Sequence, residues 1–226
     1  MTSMNVHALV PAYNEEDTVA SVVGGLLPLV QAVTVVDDGS SDGTGDRARA
    51  AGAVVIRHPV KSGKGAAIRT GLAAILPTAC THVLLVDADL QHKPDESRRL
   101  IDVARATGAD LVIGERQFDR DSTPASRYHT NRIGSRALSS FIGVPVADTQ
   151  CGFRLFAADA LRGLRLSARG YEIETEMLVK VRRRGGRVAS APVSAVYNGR
   201  PSRLRPIRDT TKTCFLAVYY RYLERL

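Results

Sequence analysis

The chain has 226 residues, of which 24% are charged and 44% hydrophobic, with a formal net charge of +8. That size and balance fit one soluble α/β domain with a modest appendage and exclude a disordered chain, and no window approaches the roughly 18 consecutive apolar residues of a membrane span. The positive excess is C-terminal, in RRRGGR (182–187) and GRPSRLRPIR (199–208). Aromatic residues that would stack bases do not interleave these runs, which excludes nucleic acid as the expected partner and leaves an anionic membrane surface or a phosphate-bearing substrate.

Taken in chain order, the first 115 residues alternate β-rich runs with helical stretches, the pattern of a mostly parallel sheet with crossover helices. The expected strands are 6–12, 32–38, 53–58, 81–89 and 109–115. The expected helices lie in DTVASVVGGLLPLV, TGDRARAAG and KGAAIRTGLAAILPTA. Ligands of such sheets bind at the carboxyl ends of the strands, which is where the unusual residues fall. The first strand ends in VPAYNEE, whose acids also suit a helix start. It contains no glycine, so a dinucleotide fold is excluded. The second ends in VVDDGSSDGTGD, with four aspartates and three glycines in ten residues, more than a turn requires. An acid here can accept hydrogen bonds from a base or ribose. HPVKSGKGAAIRTG could cradle phosphate ahead of a helix, but it lacks the spacing and the hydroxyl of a P-loop.

The strand VLLVDAD carries Asp87 and Asp89 at its end. Carboxylates at i and i+2 of an extended strand share a face and can meet one divalent cation. Without a cysteine or histidine cluster, Mg2+ or Mn2+ fits better than zinc. The plain structural use, a capped turn and a solvated acid, stands beside that reading. Beyond residue 115, regularity fades through a polar stretch; a helix is expected in RIGSRALSSFIG, another from about Glu172 to Arg184, a strand near RVASAPVSAVY, and a final amphipathic helix, TKTCFLAVYYRYLERL. That last helix can pack on the domain, rest on an anionic bilayer or form a homodimer contact. The N-terminus lacks the pattern of a signal peptide, and Cys80, Cys151 and Cys214 are scattered and odd in number, so a cytoplasmic protein, peripheral on the membrane face if it meets lipid, is expected.

In order and spacing, VPAYNEE, VVDDGSSDGT, KGAAIRTG, DADLQHKP and DTQCGFRLF resemble the family-two glycosyltransferases, most closely the polyprenyl-phosphate sugar synthases of the dolichyl-phosphate mannose synthase type. The resemblance covers about residues 5–205. It implies a GT-A fold, a Rossmann-like, mostly parallel central sheet flanked by helices, in a single domain over 1–226. Residues 1–115 would bind the nucleotide sugar, and residues 116–226 would form the acceptor side and end in the amphipathic helix.

The same resemblance implies roles for individual residues. Pro11, Tyr13, Glu15 and Asp38 border the base and ribose, Lys64 lies beside the nucleotide, and Asp87 and Asp89 form the metal motif with Gln91 as a third contact. Arg116 lies near the phosphates. Asp148, Gln150 and Arg154 line the sugar and acceptor region. Arg200 and Arg203 close over the diphosphate, with Arg203 where lysine is usual; an anionic acceptor would in turn need cationic side chains to position it, which suits Arg116, Arg132 and Arg136. The implied reaction is inverting transfer of a hexose from a GDP- or UDP-sugar to polyprenyl phosphate. A phosphate acceptor needs no general base; a hydroxyl acceptor would, and Glu172, Glu174 or Glu176 could serve. Two rivals remain: transfer to a hydroxyl of a small metabolite or glycan, and a non-catalytic nucleotide-binding subunit.

Overall fold

The computed structural model describes residues 4–117, 148–149 and 151–194, with the isolated positions 139, 143 and 219. A seven-stranded sheet runs through them in the order β3-β2-β1-β4-β6-β5-β7. The strands are β1 (Val6–Ala12), β2 (Ala32–Asp37), β3 (Val54–Arg57), β4 (His82–Leu85), β5 (Leu111–Gln117), β6 (Arg154–Ala157) and β7 (Val188–Ser194). β6 alone is antiparallel, pairing with both β4 and β5. The helices are α1 (Val19–Leu26), α2 (Thr44–Ala50), α3 (Lys64–Ile75), α4 (Ser97–Thr107), α5 (Ala158–Leu161) and α6 (Ile173–Arg183). Among the described residues no helix is long and apolar enough to cross a membrane.

Apolar content and spacing account for these elements. β1 reads VHALVPA and is buried at every position but His7, as expected for a central parallel strand covered on both faces. α1 buries Val19, Val22, Val23 and Leu26, the i, i+3, i+4, i+7 stripe that faces a sheet. α3 lies close on the sheet because Gly71 has no side chain: a Cβ there would fall 2.1 Å from Leu9 Cδ1. α4 buries Ser97, Leu100, Ile101 and Ala104 and stops at Gly108, which takes the left-handed conformation (φ 60°) and donates its N–H to Ala104 O. β1 pairs with β2 on one side and β4 on the other, so the chain reverses its order across the sheet between β1 and β4. The crevice at their carboxyl ends is the ligand position of an open α/β sheet.

The sequence-based elements differ from the structure at one place that matters. β4 ends at Leu85, although the apolar run suggested a strand to residue 89. Val86 still donates to Leu9 O, but Asp87 to Leu90 turn away, and Leu90 is left-handed (φ 58°). The two acids are therefore aimed by a turn and not by the alternation of a strand. Apart from the isolated positions 139, 143 and 219, the expected helix 132–143 and the final amphipathic helix lie outside the described residues, as do Arg132, Arg136, Gln150, Arg200 and Arg203.

Candidate active site

Three loops meet over the carboxyl ends of β1 and β2. In the first, Asn14 is left-handed (φ 52°); its N–H donates to Ser40 Oγ at 3.0 Å, and its Oδ1 accepts from Ser41 N at 2.9 Å. Glu15 N donates to Thr44 Oγ1 at 2.8 Å and Gly43 N donates to Glu16 Oε2 at 3.0 Å, tying the first loop to the second. Asp38 ties the second to the third: it accepts from Ser62 N at 2.9 Å, Gly63 N at 2.8 Å and His58 Nδ1 at 2.8 Å. Gly39 (φ 72°) allows this approach, since a Cβ would lie 2.7 Å from the carbonyl carbon of Val60.

These bonds bear on two expectations. Asp38, expected at the base or ribose, is buried and accepts main-chain N–H groups on both oxygens, so it also organises the loop before α3. The segment 58–71, a loop running into α3, is a candidate phosphate cradle by sequence, yet the N–H groups of Ser62 and Gly63 go to Asp38 and that of Gly65 goes to Arg169 O at 2.8 Å. A phosphate would find those donors occupied. Pro11 lies inside β1, buried opposite Val36. Tyr13 is half-buried at the mouth of the crevice, with Lys61 Nζ 3.8 Å from its ring centroid.

The centre of the site is a cluster of four charged groups. Lys64, the first residue of α3, places Nζ 2.6 Å from Asp87 Oδ1 and 2.6 Å from Glu174 Oε1 on α6. Burial opposes its charge, but the two carboxylates outweigh that and raise its pKa. Burial alone would raise Asp87; the Lys64 ammonium reverses this and holds it below the usual carboxylate range. Asp87 fits only because residue 152 is glycine, where a Cβ would lie 2.5 Å from Asp87 Oδ2 and 3.0 Å from Glu174 Oε1. Asp89, whose Oδ1 accepts from Gln91 N at 3.0 Å, is pushed up to about 6 by burial and then by the charge of Asp87, with Glu15 adding to the effect.

On the other side, Arg116 at the end of β5 grips Asp148 in two bonds, Nε to Oδ2 at 2.6 Å and Nη2 to Oδ1 at 3.0 Å. Arg154, expected to line the acceptor region, is wholly buried, and its guanidinium donates to the carbonyls of Cys151, Glu174 and Thr149, so it holds Thr149 and Cys151 beside α6. His92 is buried against Phe153, with ring centroids 5.2 Å apart. Its Nε2 lies 3.7 Å from Cys151 Sγ, and burial lowers its pKa to about 4. Burial, and then the charge of Asp148, pushes the Cys151 thiol up to about 12, so it is an inert thiol.

The acids on α6 divide in role. Glu176 is fully buried and accepts from Ser167 N, Ser167 Oγ, Ala168 N and Lys180 Nζ, which removes it as a general base. Glu174 is committed to Lys64. Among the described residues no group of three or more His, Cys, Asp or Glu side chains could hold a metal alone. The donors nevertheless suit a hard divalent ion: a carboxylate whose charge is disfavoured by burial and by a neighbouring acid gains from an added cation. The other coordination positions would fall to water and to the oxygens of a ligand. Asp87, with Oδ1 on Lys64 and Oδ2 against Gly152, is the weaker candidate of the pair.

A family model described as "Glycosyl transferase family 2" matches residues 8–165, more than half of the chain and all three loops. The chain belongs to glycosyl transferase family 2. Within that family it is 32% identical over 206 residues to an undecaprenyl-phosphate mannosyltransferase of Micrococcus luteus, covering 85% of this chain and 84% of that protein. A polyprenol monophosphomannose synthase of Mycolicibacterium smegmatis is 30% identical, over 82% of this chain and 75% of that one. Among solved structures, glucosyl-3-phosphoglycerate synthase of Mycobacterium tuberculosis in complex with Mn2+ and UDP-glucose superimposes with a TM-score of 0.72 at 26% identity, covering 97% of this chain and 79% of that chain. The expected family and the mixed, mostly parallel fold of the GT-A type are thus found.

Proposed function

We propose that the protein is a metal-dependent, inverting glycosyltransferase that moves a hexose from a GDP- or UDP-sugar to a polyprenyl phosphate. The observation that carries the donor half is the placement of Asp89, with Asp87, Lys64 and Glu15 around it, at the carboxyl edge where β1 and β4 diverge. The acceptor half is supported by the two relatives named for undecaprenyl-phosphate and polyprenol chemistry.

A divalent ion, Mg2+ or Mn2+, held by Asp89 with Gln91 nearby would neutralise charge on the departing diphosphate. Tyr13 offers a ring face to the base. Lys64 and Arg116 supply fixed positive charge around the reacting centre, each held by carboxylates that set its position. A phosphate acceptor is anionic near neutral pH and needs no proton removed. That agrees with an α6 whose buried Glu174 and Glu176 are both tied to lysines. Arg200 and Arg203 are proposed to close over the diphosphate, and Arg132, Arg136, Asp148 and Gln150 to meet the acceptor at a membrane surface.

A second reading has its own support, in the likeness to glucosyl-3-phosphoglycerate synthase: transfer to a hydroxyl of a small metabolite. Thermal shift with GDP- and UDP-sugars, with and without Mn2+, tests the donor half. The expected result is stabilisation by one nucleotide class that requires the cation and is lost in Asp89→Asn; equal stabilisation of that variant would remove the metal role from Asp89.

A further inference from the structure

Glu176 and Lys180 form an ion pair at 2.7 Å inside the molecule, 0% and 3% exposed. Burying two charges costs several kcal/mol in desolvation, and such a pair adds little stability over apolar side chains of equal bulk. What the pair holds supplies a different account. Glu176 accepts the N–H groups of Ser167 and Ala168, each at 2.9 Å, and the hydroxyl of Ser167 at 3.1 Å, while Lys180 donates to Arg165 O. All four bonds fix one strap of main chain, residues 165–169.

The strap lies on the start of α3. Arg169 O accepts from Gly65 N at 2.8 Å, and Ala168 O accepts from the Arg69 guanidinium. The fit leaves no room for side chains: a Cβ on Gly63 would lie 2.4 Å from Arg169 O, and one on Gly65 2.3 Å from Ala168 O. α3 has no side-chain cap of its own, so the strap closes its first turn. Lys64 stands between those two glycines, and its second carboxylate, Glu174, is two residues before Glu176 on α6. The first turn of α6 thus supplies both a partner for the Lys64 ammonium and the anchor of the strap that seats the Lys64 backbone.

We propose that Glu176 is a positioning residue, acting through the 165–169 strap to hold Lys64 between Asp87 and Glu174. Its value to catalysis rests on the donor reading above; the strap itself does not. The pair can be removed with bulk kept in the double variant Glu176→Gln, Lys180→Met, which leaves no buried charge unpaired. Hydrogen exchange resolved by peptide is the first measurement. Exchange over residues 62–68 is expected to rise about tenfold, while β1 and α1 keep wild-type rates. Unchanged exchange at 62–68, or a uniform rise along the chain, would overturn the strap.

The second measurement is calorimetric binding of GDP and UDP with Mn2+ to the wild type, the double variant, Lys64→Ala and the combination. The double variant is expected to bind about tenfold more weakly when Lys64 is present and to add no loss in the Lys64→Ala background, because it acts through that lysine. An equal loss in both backgrounds would make the pair merely structural. If the wild type bound neither nucleotide, the donor reading would fall, and the exchange pattern would still decide the strap.

Discussion

At the scale of single residues, the acids of this site were legible and their partners were not. Asp87 and Asp89 stand out at the end of an apolar run, but Lys64 and Glu174 are 110 positions apart, and no local pattern announces that they share a carboxylate cluster. Asp38 shows a second use that the sequence hides: an acid in a glycine-rich loop also accepts the N–H groups of Ser62 and Gly63. Gly152 carries no local signal, and its reason is the carboxylate of Asp87. Gly152→Ala is therefore expected to push Asp87 off Lys64 and reduce transfer at least ~10-fold with a stability loss of only about 1–3 kcal/mol, measured by initial rates and chemical denaturation. Asp89→Asn is expected to cost ~100-fold or more in kcat while the chain remains folded by circular dichroism.

His92 gives a pH prediction at the same scale. Burial depresses its pKa to about 4 in the folded chain, against about 6.5 unfolded, so below 6.5 the unfolded state binds the proton more readily. Stability from neutral His92 is complete above pH 6.5 and is lost as pH falls through the interval from 6.5 to 4, by about 3 kcal/mol at most. Urea denaturation at pH 7 and pH 4.5 should show a larger drop for the wild type than for His92→Asn. Equal drops would place the acid sensitivity elsewhere.

At the scale of elements, strongly periodic segments were readable and short or inserted ones were not. β1 and β2 match expectation almost to the residue, and the helix expected from Glu172 to Arg184 is found at Ile173–Arg183. α4 was missed, although its buried stripe is regular, because its surface is crowded with charge and it follows the DADLQHKP motif without a break. β6 has only four residues, and nothing local tells that RLFA inserts antiparallel between β4 and β5. Its insertion leads Cys151 and Gly152 in beside Asp87, so the second half of the sequence contributes to the same cluster as the first. The seat of α3 on the sheet is testable: Gly71→Ala would drive a methyl into Leu9, and a loss of about 1–3 kcal/mol is expected by thermal or chemical denaturation.

At the scale of the whole molecule, sheet order does what no single motif can. The reversal between β1 and β4 collects the ends of VPAYNEE, VVDDGS and DADLQ on one edge, and the strap and α6 bring Glu174 to the same place from the far end of the described chain. The run RRRGGR, by contrast, leads into the amino end of β7, at the opposite edge of the sheet from these loops. The proposed reaction is transfer of a hexose to an anionic lipid phosphate. Its most direct measurement supplies radiolabelled GDP- and UDP-sugars with Mn2+ and offers polyprenyl phosphate and 3-phosphoglycerate in parallel, followed by organic extraction. Label in the organic phase, dependent on the lipid phosphate and absent for Asp89→Asn, is expected; label confined to the aqueous phase and dependent on 3-phosphoglycerate would contradict it.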